Sequence, residues 1–84
     1  MFYTYALIST KNGKFYFGHT KDLERRILEH KNKKVESTKN YLPIDLIGYE
    51  AYRLKSDAER RERFLKTTEG RRLLKRQYKD ILNS

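Results

Sequence analysis

The chain lacks cysteine altogether and has only one proline and four glycines in 84 residues. Without cysteine, disulfides and thiolate metal sites are excluded. No apolar run approaches the roughly 20 residues of a membrane-spanning helix, and residues 2–8 are too short and too polar a stretch for a signal peptide. We therefore expect no membrane partner, and the cytoplasm is the expected compartment.

Acidic residues are also scarce, since 11 of them face 20 lysines and arginines, which gives a formal net charge of +9. Such an excess is typical of proteins that bind nucleic acid. A membrane surface would attract the same charge, but no helical segment combines a basic face with a wide apolar one. A chain of this length is expected to form one domain, residues 1–84, around one modest core.

Two strands are predicted at the start of the chain. Aromatic and β-branched residues indicate a strand over Phe2–Ser9, and Asn12 with Gly13 predicts a two-residue hairpin turn into a second strand over residues 15–18. A two-residue loop pairs Leu7 with Gly18 across the hairpin.

This pairing places two tyrosines, Tyr5 and Tyr16, on one face with Gly18. Their offset along the strands would be on the order of 13 Å, so that the two rings could bracket a phosphodiester. Gly18 either leaves room for a ligand or marks a bulge. The alternative for the tyrosines is an ordinary strand position with a hydrated hydroxyl.

A helix is predicted to follow, with Thr20 as its N-cap. Counted from Leu23 on the apolar stripe, Arg26 and His30 fall at i+3 and i+7, so Arg26 lies on the buried edge and needs an anionic partner. Arg25 is expected to point into solvent.

The next segment, residues 31–40, is polar and basic without periodicity, and it predicts a loop near the substrate. Pro43 marks its end. A third strand is predicted over Ile44–Tyr52, in which Gly48 indicates a bend or a close approach.

A second helix is predicted to begin at Ser56, because Ser56 and Glu59 form a capping-box pattern, and to run to about Lys66. Its core-facing stripe contains Ala58, Glu62 and Leu65. A carboxylate within an apolar stripe is costly unless it is paired or binds a cation. A salt bridge to an arginine and a cation site are therefore the two alternatives for Glu62.

Residues 67–70 break the helical pattern, and a last amphipathic helix is predicted over residues 71–82. The side chains expected to face inward are Leu74, Tyr78, Ile81 and Leu82. The side chains expected to face outward are Arg71, Arg72, Lys75, Arg76 and Lys79. This basic run is either a solvated face or part of a surface that follows a nucleic-acid backbone.

The predicted fold class is α+β, a small three-stranded, mostly antiparallel sheet flanked by three helices in the order β-β-α-β-α-α. Within it, His19 and His30 lack the close spacing of a zinc site, and neither a phosphate loop nor a nucleophile elbow is present. What remains is a set of two tyrosines, one arginine, one histidine and one isolated carboxylate. Phosphodiester hydrolysis uses these residue types, because a cation and a carboxylate-held Mg²⁺ stabilise the charge on the phosphate while a weak acid or base activates water.

The pattern resembles the GIY-YIG nuclease domain, the family that includes the nuclease half of the excinuclease C subunit of DNA repair. Tyr3-Thr4-Tyr5 and Tyr16-Phe17-Gly18 stand where the family has its two name-giving motifs, with eleven residues from Tyr5 to Tyr16. Arg26 with His30, and later Glu62, match its two helix motifs. The resemblance covers nearly all of residues 2–78, and the small stand-alone bacterial members look most similar.

The resemblance implies a divalent-metal-dependent DNA endonuclease or nickase of low sequence specificity, with Mg²⁺ or Mn²⁺ as cofactor. It implies that Glu62 holds the metal ion, that Arg26 contacts the scissile phosphate, and that Tyr5 and Tyr16, assisted by His30, position or deprotonate the attacking water. The expected partners are DNA, duplex or branched, and a protein that supplies specificity. The residues expected to bind nucleic acid are Gly18, His19, Lys31, Lys33, Lys34, Lys39, Lys66, Arg71 and Arg72. The alternative function is a catalytically weak or inactive basic module that binds nucleic acid and acts through a partner.

Overall fold

A computed structural model describes all 84 residues. Its elements are β1 (Phe2–Ser9), β2 (Phe15–Thr20), α1 (Leu23–Lys31), a 3₁₀ turn (Lys39–Tyr41), β3 (Ile44–Tyr52), α2 (Lys55–Leu65), α3 (Thr68–Gln77) and the short α4 (Lys79–Leu82). The three strands are antiparallel in the order β2-β1-β3. The predicted α+β class and element order are confirmed, with α4 as one additional short helix.

The central strand β1 is buried on both sides, because successive side chains of a strand point to opposite faces. Tyr5 and Leu7 face α1 and pack against Leu23 and Ile27. The opposite face packs against α2 and α3, in a cluster formed by Ala6, Phe17, Ile47, Leu65 and Leu74. Helices therefore cover the sheet on both sides.

The register of the hairpin differs from the prediction by two residues. Tyr5 pairs with Gly18, and Leu7 pairs with Tyr16. Because a shift of two residues keeps every side chain on its face, these four residues still share the α1 side of the sheet. The shift also reduces the offset between the two tyrosines to two residues, about 7 Å along the strands.

The cause of the shift is the turn, which contains residues 10–13. The hydroxyl oxygen of Ser9 accepts hydrogen bonds from the backbone N–H groups of Lys11 and Asn12 at 3.2 and 3.3 Å. A two-residue type I′ turn requires positive φ at both Asn12 and Gly13, and only Gly13 has it, at +73°.

Two predicted helix starts are wrong. Asp22, and not Thr20, caps α1, because its carboxylate accepts the backbone N–H of Arg25 at 3.2 Å. The α2 helix begins at Lys55, with Leu54 as an N-cap that makes no side-chain hydrogen bond. Ser56 therefore lies inside the first turn, because α2 starts almost directly after β3.

The last helix begins earlier than predicted and is interrupted. Thr67 caps α3 by accepting the backbone N–H of Gly70 at 3.0 Å. Gly70 is buried where a methyl group would overlap the carbonyl group of Phe64. The glycine therefore lies inside α3 and allows the start of this helix to approach the end of α2 closely. The helical conformation is lost at Tyr78, which turns α4 away from the α3 periodicity and leaves Ile81 exposed instead of buried.

The third strand has its predicted bounds, and Gly48 has both predicted properties. The pairing of β1 with β3 shifts register next to Gly48, which is a bulge, and the ring of Tyr78 packs directly over the glycine. No helix of this fold has both the length and the apolar character needed to cross a membrane.

Candidate active site

A polar cleft of about 320 Å³ opens at the end of β2, beside the start of α1. Its lining contains no hydrophobic residue and consists of His19, Thr20, Lys21, Asp22, Arg25, Arg26 and Glu29. The two sides of the sheet meet here, because Arg26 comes from α1 whereas the side chain of His19 reaches α2. We refer to this site as the polar cleft.

Tyr5 lies behind the polar cleft and is only 1% exposed. Its ring crosses Gly18 so closely that a Cβ atom at Gly18 would lie 2.6 Å from Tyr5 Cζ. The expectation of free space for a ligand above Gly18 is therefore wrong, because a side chain of the protein itself fills it. The glycine instead allows the tyrosine hydroxyl to pass over β2.

His30 is fully buried and contacts both tyrosines. Its Nε2 lies 2.8 Å from the Tyr5 hydroxyl, and its ring centroid lies 5.6 Å from that of Tyr5 and 5.2 Å from that of Tyr16. The space between the two tyrosine rings, which was predicted to hold a phosphodiester, is thus occupied by His30. Tyr16 is only partly buried, and its hydroxyl accepts a hydrogen bond from Ser37 near the surface at 3.3 Å.

Burial and neighbouring charge fix the protonation of this pair. Burial raises the pKa of Tyr5 to about 12, although the Arg26 guanidinium beside the hydroxyl acts in the opposite direction. Burial, assisted by the positive charge of Arg26, lowers the pKa of His30 to about 4. At neutral pH Tyr5 is protonated and His30 is neutral, so Tyr5 is better suited to orient its neighbours than to deprotonate water.

Arg26 lies on the predicted edge of α1, and its anionic partner is Glu29. Its Nη1 lies 3.2 Å from Glu29 Oε1, while the more exposed Arg25 approaches the other carboxylate oxygen at 3.5 Å. The side chain of Arg25 is 73% exposed and that of Arg26 is 37% exposed. The two adjacent arginines therefore differ in environment, as predicted, although they share one carboxylate.

Glu62 lies on the α2 side, where His19 and Lys66 hold its carboxylate. Its Oε1 is 2.5 Å from His19 Nδ1, and its Oε2 accepts a hydrogen bond from Lys66 Nζ at 2.7 Å. Burial alone would raise the pKa of Glu62, but the hydrogen bonds from Lys66 and His19 lower it below its usual value. The ion-pair partners are a lysine and a histidine and not the arginine considered from the sequence.

Four of the five predicted catalytic residues form one connected group on the α1 side, namely Tyr5, Tyr16, Arg26 and His30. Glu62 stands apart, because its hydrogen bonds go only to His19 and Lys66. The carboxylate still acts on the group through its charge, which contributes to the raised pKa of Tyr5. His19 connects the two parts, since it both lines the polar cleft and contacts Glu62.

Apart from Gly18, which the ring of Tyr5 covers, the residues predicted to bind nucleic acid fall into three environments. Several are exposed and make no ion pair within the protein, namely Lys31, Lys33, Lys34, Arg71 and Arg72. Lys39 pairs with Glu36 at 2.8 Å. His19 and Lys66 are engaged by Glu62.

Thr38 and Glu29 contact this group but were not predicted from the sequence. Glu29 follows Arg26 by three residues, a helical spacing that signals an ion pair. Thr38 lies in the segment predicted to be a polar loop, yet it is fully buried. Its hydroxyl has a partner there, because it lies 2.7 Å from His30 Nδ1. No local pattern in the sequence indicates this contact.

A larger groove of about 880 Å³ lies between α1 and β3, with Tyr3 and Tyr49 in its wall. The two rings meet edge to face, with centroids 5.9 Å apart. The groove contains none of the predicted catalytic residues. We therefore identify the smaller polar cleft as the candidate site, because charged side chains converge there.

Comparison with known proteins identifies the family. The family model of the GIY-YIG catalytic domain matches residues 1–78. The chain is 36% identical over 70 residues to a UPF0213 protein of Staphylococcus saprophyticus, covering 82% of this chain and 85% of that protein. It is 34% identical to a UPF0213 protein of Staphylococcus epidermidis over the same shares of both chains. No solved structure matches it. Because the domain match spans nearly the whole sequence, this chain belongs to the GIY-YIG family.

Proposed function

We propose that the protein is a divalent-metal-dependent DNA endonuclease or nickase that hydrolyses phosphodiesters with low sequence specificity. Membership in a nuclease family supports the reaction class. The observation that carries the proposal is the meeting of two charged centres at the polar cleft. Arg26 lines the cleft from α1, and His19, which holds Glu62, lines it from the other side.

Arg26 is assigned to the scissile phosphate. The neighbouring Tyr5 hydroxyl and the ion pair with Glu29 raise the pKa of the guanidinium further, although burial acts in the opposite direction, so the group stays charged. A fixed donor of this kind stabilises the negative charge that develops on the phosphate oxygens in the transition state. Glu29 pairs with Arg26 in the wall of the polar cleft, and His30 contacts Tyr5 behind it.

Tyr16 is assigned to the attacking water. Tyr5 is buried and its hydroxyl contacts His30, whereas the hydroxyl of Tyr16 lies at the surface beside Ser37. Of the two motif tyrosines, Tyr16 is therefore the one that a water molecule reaches. Its role is to orient that water for attack on the phosphate.

Glu62 is assigned to Mg²⁺ or Mn²⁺. No cluster of three or more potential ligand side chains exists in the fold, but Mg²⁺ requires none, since it keeps several waters and takes other ligands from substrate phosphates. A single ionised carboxylate beside the polar cleft fits that coordination. When bound, the ion would supply positive charge to neutralise the phosphate.

The second candidate function is a weak or inactive module that binds nucleic acid and acts through a protein partner. The observation that favours it is the engagement of both Glu62 oxygens by His19 and Lys66. A metal ion must displace at least one of these two side chains from the carboxylate. In both candidates the exposed lysines and arginines contact the DNA backbone without reading its sequence.

A cleavage assay tests the proposal. Supercoiled plasmid and labelled duplex, branched and single-stranded oligonucleotides are incubated with the protein in Mg²⁺, Mn²⁺ or EDTA, alongside Glu62→Ala. We expect nicks or breaks that require the metal and disappear in Glu62→Ala. Binding without cleavage in either metal would support the second candidate, and equal cleavage by Glu62→Ala would reject the assigned site.

A further inference from the structure

Thr38 is a fully buried polar residue in a segment whose other side chains are mostly exposed. Its hydroxyl oxygen lies 2.7 Å from His30 Nδ1 and 3.5 Å from the carbonyl oxygen of Val35. The other ring nitrogen of His30 lies 2.8 Å from the Tyr5 hydroxyl. A chain of polar contacts therefore runs from the segment after α1 to the tyrosine behind the polar cleft.

The direction of these hydrogen bonds follows from the number of protons available. A threonine hydroxyl has one proton, and a carbonyl oxygen only accepts. If Thr38 donates to Val35, His30 must donate its single proton from Nδ1 to Thr38, and its Nε2 accepts the proton of Tyr5. Each buried polar side-chain atom of Thr38, His30 and Tyr5 then has a partner. This agrees with the absence of unsatisfied buried polar side-chain atoms in the protein.

The opposite tautomer leaves a group unpaired. A proton on Nε2 would point at the Tyr5 oxygen, beside which the Arg26 guanidinium already lies. The proton of Tyr5 would then have no protein acceptor within a side chain that is 1% exposed. Leaving a buried donor unpaired is unfavourable, and the first arrangement is favoured for this reason.

We propose that Thr38 is a positioning residue, which holds His30 in the tautomer protonated at Nδ1, directs the Tyr5 proton to His30 and turns the Tyr5 oxygen toward Arg26. Its catalytic consequence rests on the proposed nuclease function, whereas the tautomer itself does not. Through these contacts the segment between α1 and β3 is linked to Tyr5, whose hydroxyl lies near Arg26. Thr38 touches no substrate.

Two substitutions separate the hydroxyl from the shape of the residue. Thr38→Val retains the branched side chain without the hydroxyl, and Thr38→Ser retains the hydroxyl. The tautomer of His30 is read from the ¹⁵N chemical shifts and couplings of its ring, without DNA or metal. Single-turnover cleavage and DNA affinity are measured on the same variants.

We expect the parent protein and Thr38→Ser to show a proton on Nδ1 and an unprotonated Nε2. In Thr38→Val each tautomer leaves a buried donor unpaired, either Nδ1–H or the Tyr5 hydroxyl, so the second tautomer should appear beside the first. The single-turnover rate should fall roughly 10- to 100-fold, the scale of a misplaced active-site group, with DNA affinity changed less than 3-fold. Thr38→Ser should retain most of the rate.

A parent spectrum with the proton on Nε2 would overturn the proposal, even if Thr38→Val failed to fold. So would a Thr38→Val variant that showed the parent tautomer alone. If no form of the protein cut DNA while the tautomer responded as expected, the proposed nuclease function would fail and the positioning role of Thr38 would stand.

Discussion

His19 and Glu62 connect the end of β2 to the last turn of α2, with His19 Nδ1 2.5 Å from Glu62 Oε1. The contact joins residues 43 positions apart in the sequence. On the other carboxylate oxygen, Lys66 forms an ion pair one helical turn away. The carboxylate assigned to the metal is therefore held in position by two side chains, each of which contacts a different oxygen.

Glu62→Gln should abolish divalent-ion binding and reduce cleavage at least 100-fold while the fold persists. His19 and Lys66 are 31% and 52% exposed, so water can solvate both after the charge is lost. Exposed ion pairs contribute about 0–1 kcal/mol, and the melting temperature should change by only a few degrees. Calorimetric titration with Mn²⁺ and thermal melts measure the two effects.

The matched control for Glu62→Gln is Asp57→Asn, which removes an exposed carboxylate of the same helix that pairs with Arg60. It should leave metal binding and cleavage unchanged. A Glu62→Gln protein that melted far below the parent and still cut DNA would show that Glu62 is a structural ion-pair partner and not a metal ligand.

Arg26→Ala should lower the single-turnover cleavage rate by about 10²–10³, the usual cost of losing a donor to transition-state charge, with little loss of DNA affinity. Arg25→Ala provides the control, because Arg25 precedes it, contacts the same Glu29 and is far more exposed. Its rate should stay within 3-fold of the parent. Equal losses in the two variants would contradict the assignment of Arg26 to the phosphate.

Gly18→Ala should destabilise the protein by about 1–3 kcal/mol, the range for overpacking a filled site, because the new Cβ would overlap the ring of Tyr5. The hydroxyl is the nearest atom, so the same substitution in a Tyr5→Phe background should cost less. Urea unfolding of the four proteins measures the coupling. Additive free energies of unfolding would show that Tyr5 does not fill the space above Gly18.

Acid should destabilise the fold through His30. The unfolded chain binds a proton at His30 below its ordinary pKa of about 6.5, whereas the folded protein does not until about pH 4. The unfolded state thus binds more protons in this window, and the free energy of unfolding falls as pH drops from 6.5 toward 4, by about 3 kcal/mol in total. Arg26 nearby strengthens the effect, and Glu29 opposes it.

Urea titrations at half-unit pH intervals, in a His19→Gln background so that only one histidine titrates, measure this slope. Adding His30→Gln should lower the free energy of unfolding at pH 7 and make it nearly independent of pH above pH 5. A slope that persisted without His30 would assign the acid sensitivity to other groups.

The exposed basic face of α3 should contribute to DNA affinity and not to chemistry. Arg71, Arg72 and Lys75 are exposed and make no ion pair, and each phosphate contact adds about −0.9 to the slope of log affinity against log salt on duplex DNA. Changing all three to Gln should make the slope shallower by about 2–3. The rate at saturating DNA should not change.

The control for the α3 variant removes three charges elsewhere, at Lys11, Lys14 and Lys55, which are also exposed and unpaired. Fluorescence anisotropy over a salt series compares the two triple variants. Identical slopes in both would mean that total charge and not the α3 face governs binding.

Local patterns in the sequence determined much of this protein. Alternation and composition correctly predicted the bounds of β1 and β3, the shared face of Tyr5 and Tyr16, and the different edges of α1 on which Arg25 and Arg26 lie. These features depend on residues a few positions apart, whose periodicity is fixed by the geometry of strands and helices. The motif spacing also indicated the family, because it combines several such local patterns.

The interior of the site was decided only by the tertiary structure. The ring of Tyr5 over Gly18, its hydroxyl against His30 across 25 positions, and Glu62 between His19 and Lys66 depend on how distant elements pack. Thr38 is buried although its sequence neighbours are polar and exposed, because its hydroxyl contacts His30. No local pattern in the sequence predicts this contact. Periodicity selects the face of a side chain, whereas its contacts depend on the register and crossing of elements that meet only in the folded chain.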